Sequence, residues 1–162
     1  MTEGFRTEEL LFLMKKISLN LTAQLELNLK SKSMTGVQVY FLVYILRDHP
    51  NGTYLTELCH EIGVSKATLS ALIKKLREKE YLYFLADPDD VRKKKVLPTA
   101  KLLAEGDEFV RKADQMEEQI CSALDQKEKK QLWNLEQKLM TQFAGMEHGE
   151  NNEKNRQEVY LP

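Results

Sequence analysis

Residues 53–99 read TYLTELCHEIGVSKATLSALIKKLREKEYLYFLADPDDVRKKKVLPT. Thr56 begins a short helical segment that ends near Ile62, and Gly63 follows as the turn residue. Ser65 suits the N-cap of the next helix, and Leu69, Leu72, Ile73 and Leu76 form its core face as far as about Lys79. Tyr81 to Leu85 is short and β-prone. Asp87-Pro88-Asp89-Asp90 is a turn, and Lys93 to Leu97 is the return strand. Pro98 ends that strand and Thr99 caps the next segment. Helix, tight turn, helix and hairpin, in that order, are the plan of a winged helix-turn-helix. The plan implies duplex DNA as ligand, with one helix in the major groove and the hairpin beside it.

On the N-terminal side, Leu10, Met14, Ile17, Leu21 and Leu25 recur at helical steps between Thr7 and Leu29. A second set, Leu11, Leu19, Leu27 and Leu29, widens the apolar surface, so this helix should pack on its own chain and on a partner. After a polar break at Lys30–Ser33, Thr35 caps a helix from about Gly36 to Arg47 whose dense apolar set (Val37, Val39, Tyr40 to Leu42, Tyr44 to Leu46) reads as core. Asp48 to Gly52 is a stop. On the C-terminal side a helix is expected over about Ala100–Leu124, with Phe109, Ala113, Met116, Ile120 and Leu124 on one face. A capping box at Asp125 opens another, carrying Leu132, Leu135, Leu139 and Phe143. Long amphipathic helices outside a small winged domain need a cover, and dimerisation with the N-terminal helix is the economical one. The expected fold is therefore mainly α with a small β-hairpin wing. The expected domains are a dimerisation helix over 1–34, the winged module over 35–99, C-terminal dimerisation helices over 100–147 and a mobile tail over 148–162.

The 162-residue chain is 42% apolar and 30% charged, as befits a helix-rich protein, and its net charge of −1 is unevenly spread. Residues 55–101 carry 10 basic and 7 acidic side chains, an excess of +3, whereas residues 102–162 carry 8 and 13, an excess of −5. The positive excess falls where phosphate would lie. No apolar run is long enough to span a bilayer and no signal pattern opens the chain, so no membrane partner and a cytoplasmic location are expected. The two cysteines, Cys59 and Cys121, lie among apolar neighbours on expected helices and read as buried, reduced thiols.

A recognition helix reads base edges with hydroxyls and long polar side chains near its N-terminus, here Ser65, Lys66, Thr68 and Ser70. Lys74 and Lys75 lie further along and suit phosphate. In the wing, Arg92 can enter a minor groove, Lys93, Lys94 and Lys95 can meet phosphate, and Asp90 can pair with the Arg92 guanidinium and aim it. Catalysis finds no support, since phosphate-cradling glycine motifs and a nucleophile elbow are missing. No cofactor is implied. The histidines, His49, His60 and His148, are dispersed, and Cys59 and His60 are adjacent and so point apart, which argues against a metal site.

Asp90-Val91-Arg92, five residues and then Pro98-Thr99 resembles the signature of the MarR family of bacterial transcriptional regulators. Leu55 to Cys59, Gly63, Thr68-Leu69, Asp87 to Asp90 and the order of helices resemble it as well, over roughly residues 7 to 147. Three positions depart from the family pattern: Glu80 replaces a glycine at a helix end, Ala71 an arginine, and Pro98 a leucine. The resemblance implies a homodimer on a pseudo-palindromic operator, and repression relieved by a small phenolic or lipophilic effector. The implied effector pocket lies between dimer helices and winged domain, where Phe12, Tyr40, Phe41 and Tyr44 could serve. The alternative is a winged module that binds proteins and not DNA.

Overall fold

The computed structural model describes residues 4–90 and 92–159, with residues 148–159 described by backbone alone. Its elements are α1 (Thr7–Leu29), α2 (Gly36–Asp48), β1 (Thr53–Tyr54), α3 (Leu55–Ile62), α4 (Lys66–Glu78), β2 (Leu82–Ala86), β3 (Lys94–Pro98), α5 (Ala100–Cys121) and α6 (Gln126–Val159). It divides into two compact units, Met1–Glu117 and Glu118–Pro162. Most of α5 thus belongs with α1 and the winged module.

In the first unit α2, α4 and α5 start where a side chain serves free backbone N–H groups. Thr35 and Gln38 form a reciprocal capping box at the start of α2, and the Thr99 hydroxyl accepts the Leu102 N–H at the start of α5. The core gathers Leu25 and Leu29 of α1, Val39, Leu42, Val43 and Ile45 of α2, Leu58 of α3, and Leu69, Ile73 and Leu76 of α4. Met34, Phe41, Tyr81, Leu82, Val96, Leu102, Ala113 and Met116 complete it. The three strands form an antiparallel sheet in the order β1-β3-β2. Pro98 sits opposite Leu82 at the end of β3, where a missing N–H is tolerated, and the register holds through to Ala86 opposite Lys94. Strand β1 is a further element beyond the expected hairpin. It pairs Thr53 with Val96 and Tyr54 with Lys95, and two residues between a turn and a helix carry no alternation that would mark them.

Other expectations change. Only the last turns of α1 are buried in its own chain, because Leu10, Ile17 and Leu21 are exposed. Val37 is exposed too, on the one face of α2 that the core does not reach. Cys59 is half-buried as a free thiol, but Cys121 is exposed, so its apolar neighbours do not cover it.

Helices α1 and α2 meet at Gly36, where a Cβ would stand 2.1 Å from the Leu25 carbonyl oxygen. The Gly36 N–H donates to Glu26 Oε2 at 2.8 Å across the same junction. Arg47 of α2 grips α5 through two bonds to the Glu117 carboxylate, at 2.7 and 3.0 Å, and a third to Asp114. The Tyr40 hydroxyl donates to Glu117 as well, at 2.8 Å. At the same C-terminal end of α2, Glu61 of α3 accepts the Tyr44 hydroxyl and lies 2.7 Å from His49 Nε2. Burial and that carboxylate push the Tyr44 hydroxyl up to about 12.

In the second unit, Asp125 and Glu128 exchange side chain-to-backbone bonds at 2.8 and 3.0 Å, the expected capping box. Leu132, Trp133, Leu135, Leu139 and Phe143 are exposed along α6. The tail expected to be mobile from His148 coincides with backbone described as helix to Val159, and residues 160–162 lie outside the described residues.

The end of α4 carries the clearest local strain. Glu80 has φ 66°, the left-handed conformation that glycine adopts freely. That backbone costs a non-glycine residue about 1 kcal/mol or more. Part of the gain from glycine is returned through greater freedom of the unfolded chain. Glu80→Gly should raise stability by roughly 0.5–1 kcal/mol, seen as a higher urea midpoint with an unchanged slope; an unchanged or lower midpoint would refute the strain. A second expectation concerns acid. Hydrogen bonds from Arg47 hold the Glu117 carboxyl below its ordinary range. The stabilisation is therefore complete above the unfolded value of about 4.3 and is lost as pH falls through the depressed value. Arg47→Met should make the acid limb of a stability–pH curve shallower, and an unaltered limb would count against the pair.

Candidate nucleic-acid interface

The tight turn between α3 and α4 is made by Gly63, whose left-handed backbone (φ 79°) closes α3 with its N–H on the Cys59 carbonyl. Ser65 then caps α4. Its Oγ accepts the Thr68 N–H at 3.1 Å and donates to the Thr68 hydroxyl at 2.8 Å. Leu69, Ile73 and Leu76 bury one face of α4, which leaves Ser65, Lys66, Thr68, Ser70, Lys74 and Lys75 exposed. The capping bonds occupy part of the Ser65 and Thr68 hydroxyls, but each oxygen can still bond a base edge.

The wing loop is shaped by its aspartates. Asp87 Oδ1 accepts the Asp89 N–H at 2.9 Å, and Asp90 Oδ1 accepts the Arg92 N–H at 3.0 Å. Backbone bonds from Asp87 to Lys93 and from Lys93 to Asp90 close the loop, at 3.0 Å each. Asp90 therefore holds the backbone of Arg92. Among the described residues no ion pair joins its carboxylate to the Arg92 guanidinium, which differs from the expected pairing. A short carboxylate two residues upstream reaches an amide more easily than a guanidinium at the end of a long stem. Arg92, Lys93 and Lys94 are exposed.

These two pieces come together. A cleft of about 500 Å³ is lined by Lys66 of α4, by Arg92, Lys93 and Lys94 of the wing, and by Tyr54 and Phe84. Four cations line one concavity with a single carboxylate, that of Glu57, so the cleft keeps a positive excess. Lys75 does not join them and lines a separate cleft with Lys79. Sequence reasoning missed the contact that joins helix to wing: the Arg77 guanidinium lies over the Phe84 ring at 4.1 Å, with Lys94 Nζ 5.8 Å from the same ring. No sequence spacing marks it, because it depends on how the hairpin folds back on α4.

Phe41 is buried in the core and Phe12 is exposed on α1, while the hydroxyls of Tyr40 and Tyr44 bond Glu117 and Glu61. No group of three or more potential metal ligands occurs among the described residues, and none of their helices is long and apolar enough to cross a membrane.

Residues 38–94, which span α2 to the start of β3, match the model of the MarR family. This winged module is of MarR type. The MarR protein of Peptoclostridium difficile superposes with a TM-score of 0.75 at 22% identity, over 90% of this chain and 94% of that one. S. aureus MepR, solved in complex with DNA, gives 0.73 at 22% identity over 86% and 99%. Bordetella bronchiseptica BpsR, whose DNA binding is regulated by 6-hydroxynicotinic acid, gives 0.70 at 20% identity over 82% and 98%. At such identities the likeness establishes the MarR fold over most of the chain. No curated protein matches the sequence significantly.

Proposed function

We propose that this MarR-type protein is a sequence-specific, dimeric DNA-binding regulator, acting as a repressor that a small phenolic or lipophilic molecule relieves. The single observation that carries DNA binding is the cleft in which Lys66 of α4 meets Arg92, Lys93 and Lys94 of the wing. Duplex DNA presents a base-bearing groove flanked by phosphate, and this arrangement supplies both complements. Ser65, Lys66, Thr68 and Ser70 read base edges, Lys74 and Lys75 meet phosphate, and Arg92 enters the neighbouring minor groove with Asp90 fixing its backbone. The MepR–DNA complex supports this reading by likeness of fold. BpsR supports the effector step in the same way, through a small aromatic acid.

Dimerisation rests on apolar surface left uncovered in each unit. In α1, Leu11, Phe12 and Ile17 are exposed, with Phe12 at 69%. In α6, Trp133, Leu135 and Phe143 are exposed, with Trp133 at 60%. Large apolar side chains exposed in such number along one helix point to an interface. A two-fold dimer would present two reading heads to a pseudo-palindromic operator.

Fluorescence anisotropy against duplex from upstream of the protein's own gene, beside a scrambled duplex, should show tight, salt-sensitive binding that favours the upstream sequence. Arg92→Ala should weaken it roughly tenfold or more. Binding indifferent to Arg92, or none to any duplex, would overturn the assignment and favour a protein-interaction module. Phenolic compounds added to the same assay read the effector step, which fails if none changes the affinity. Sedimentation velocity of Ile17→Glu and of Leu135→Glu should show monomer where the parent is dimer. A dimer that survives both changes would refute these helices as its interface.

A further inference from the structure

The α4 helix has a second basic cleft, of about 550 Å³, and the wing takes no part in it. Lys75 of α4 and Lys79, which caps its C-terminus, form one side, and Lys30 and Lys32 from the turn between α1 and α2 form the other. Lys66 and Lys75 are nine residues apart, about half a revolution on a helix of roughly 3.6 residues per turn. The two basic clefts therefore lie on opposite flanks of α4.

The charge in this second cleft is poorly balanced. Its one carboxylate, Glu26, already accepts the Gly36 N–H with Oε2, and its Oε1 stands 3.9 Å from Lys30 Nζ. Lys79 is turned inward, donating to the Ser33 carbonyl and to Gln38 Oε1, so it ties α4 to the α1–α2 turn and fixes the cleft's shape. Lys30, Lys32 and Lys75 are exposed, and among the described residues no ion pair holds Lys32 or Lys75. Like charges gathered without counter-charge repel one another unless an anion joins them.

Duplex geometry supplies that anion. An α-helix with its side chains is about 10–12 Å across, and the major groove is about 12 Å wide. A helix seated there has a phosphate strand along each flank. We propose that the α1–α2 turn is a second phosphate-gripping edge, in which Lys30 and Lys32, with Lys75, hold the DNA backbone on the side of the groove opposite the wing. This inference rests on the DNA-binding reading above and extends its footprint to a segment outside the helix-turn-helix and the wing.

The test uses the full chain carrying Lys30→Gln and Lys32→Gln, with a thermal melt to verify folding. Anisotropy is measured over a salt series with the upstream duplex and with a mixed-sequence duplex of similar length. The double variant should bind both duplexes roughly tenfold more weakly at low salt, and its log–log salt slope should be shallower by about 2. Lys30→Arg with Lys32→Arg should keep the parental slope. If Arg92→Ala weakens binding while the double variant leaves affinity and slope unchanged, this edge is overturned and the DNA-binding reading stands. If the parent binds neither duplex at low salt, both fall.

Discussion

The structure turns on the corner where α4 ends. The Tyr81 N–H returns to the Leu76 carbonyl and the Glu80 N–H to that of Arg77, which closes the helix with the two crossed bonds usual before a left-handed residue. Thr99 locks the same corner from the far side. Its hydroxyl donates to the Glu80 carbonyl at 2.7 Å and its N–H to that of Tyr81 at 3.1 Å. Lys101 adds a bond to the Lys79 carbonyl and lies over the Tyr81 ring. One set of backbone contacts thus fixes the exit of α4, the entry of the wing, and the start of α5. The orientation of the wing relative to α4 follows from this corner and from the Arg77–Phe84 contact beyond it.

Much of this was legible because it is local. Ser65, Gly63, Thr35, Thr99 and the Asp125–Glu128 pair each announce a helix end within three or four residues, and each acts there. Glu80 was legible as a departure from family pattern, and its left-handed backbone gives the physical reason why glycine is common at that place. What could not be read was tertiary. Strand β1 exists only because β3 offers an open edge to Thr53 and Tyr54. Arg77 meets Phe84 only because the chain reverses between them. The exposed half of α1 has the same apolar spacing as its buried end, and spacing cannot tell a helix's own core from a surface left bare. Within the candidate site the residue types and the wing were legible, while the grouping of Lys66 with the wing and of Lys75 elsewhere was not.

A near-neutral chain can still carry a cationic face, and the structure explains how. Acids and bases are sorted by partner as well as by sequence. Arg47 is committed to Asp114 and Glu117, and Arg111 to Glu108. Asp87 and Asp90 spend bonding capacity on loop amides, where they shape the wing. The lysines of α4 and the wing are left largely unmatched. Net charge, which sums all of these, conceals the arrangement that matters to a polyanion.

The junction at Gly36 has a mechanical meaning. With no room for even a methyl group between the two backbones, the helices touch through peptide atoms that cannot change rotamer or yield. Such a contact acts as a fulcrum. From Leu25 to Thr7 helix α1 extends eighteen residues, about 27 Å at roughly 1.5 Å per residue. A tilt of about 10° at the pivot would carry its far end through about 5 Å on that arm. The first turns of α1 are thus a lever whose short end is clamped to α2, so small angular changes in the module and large linear displacements at the distant apolar surface are two readings of a single motion.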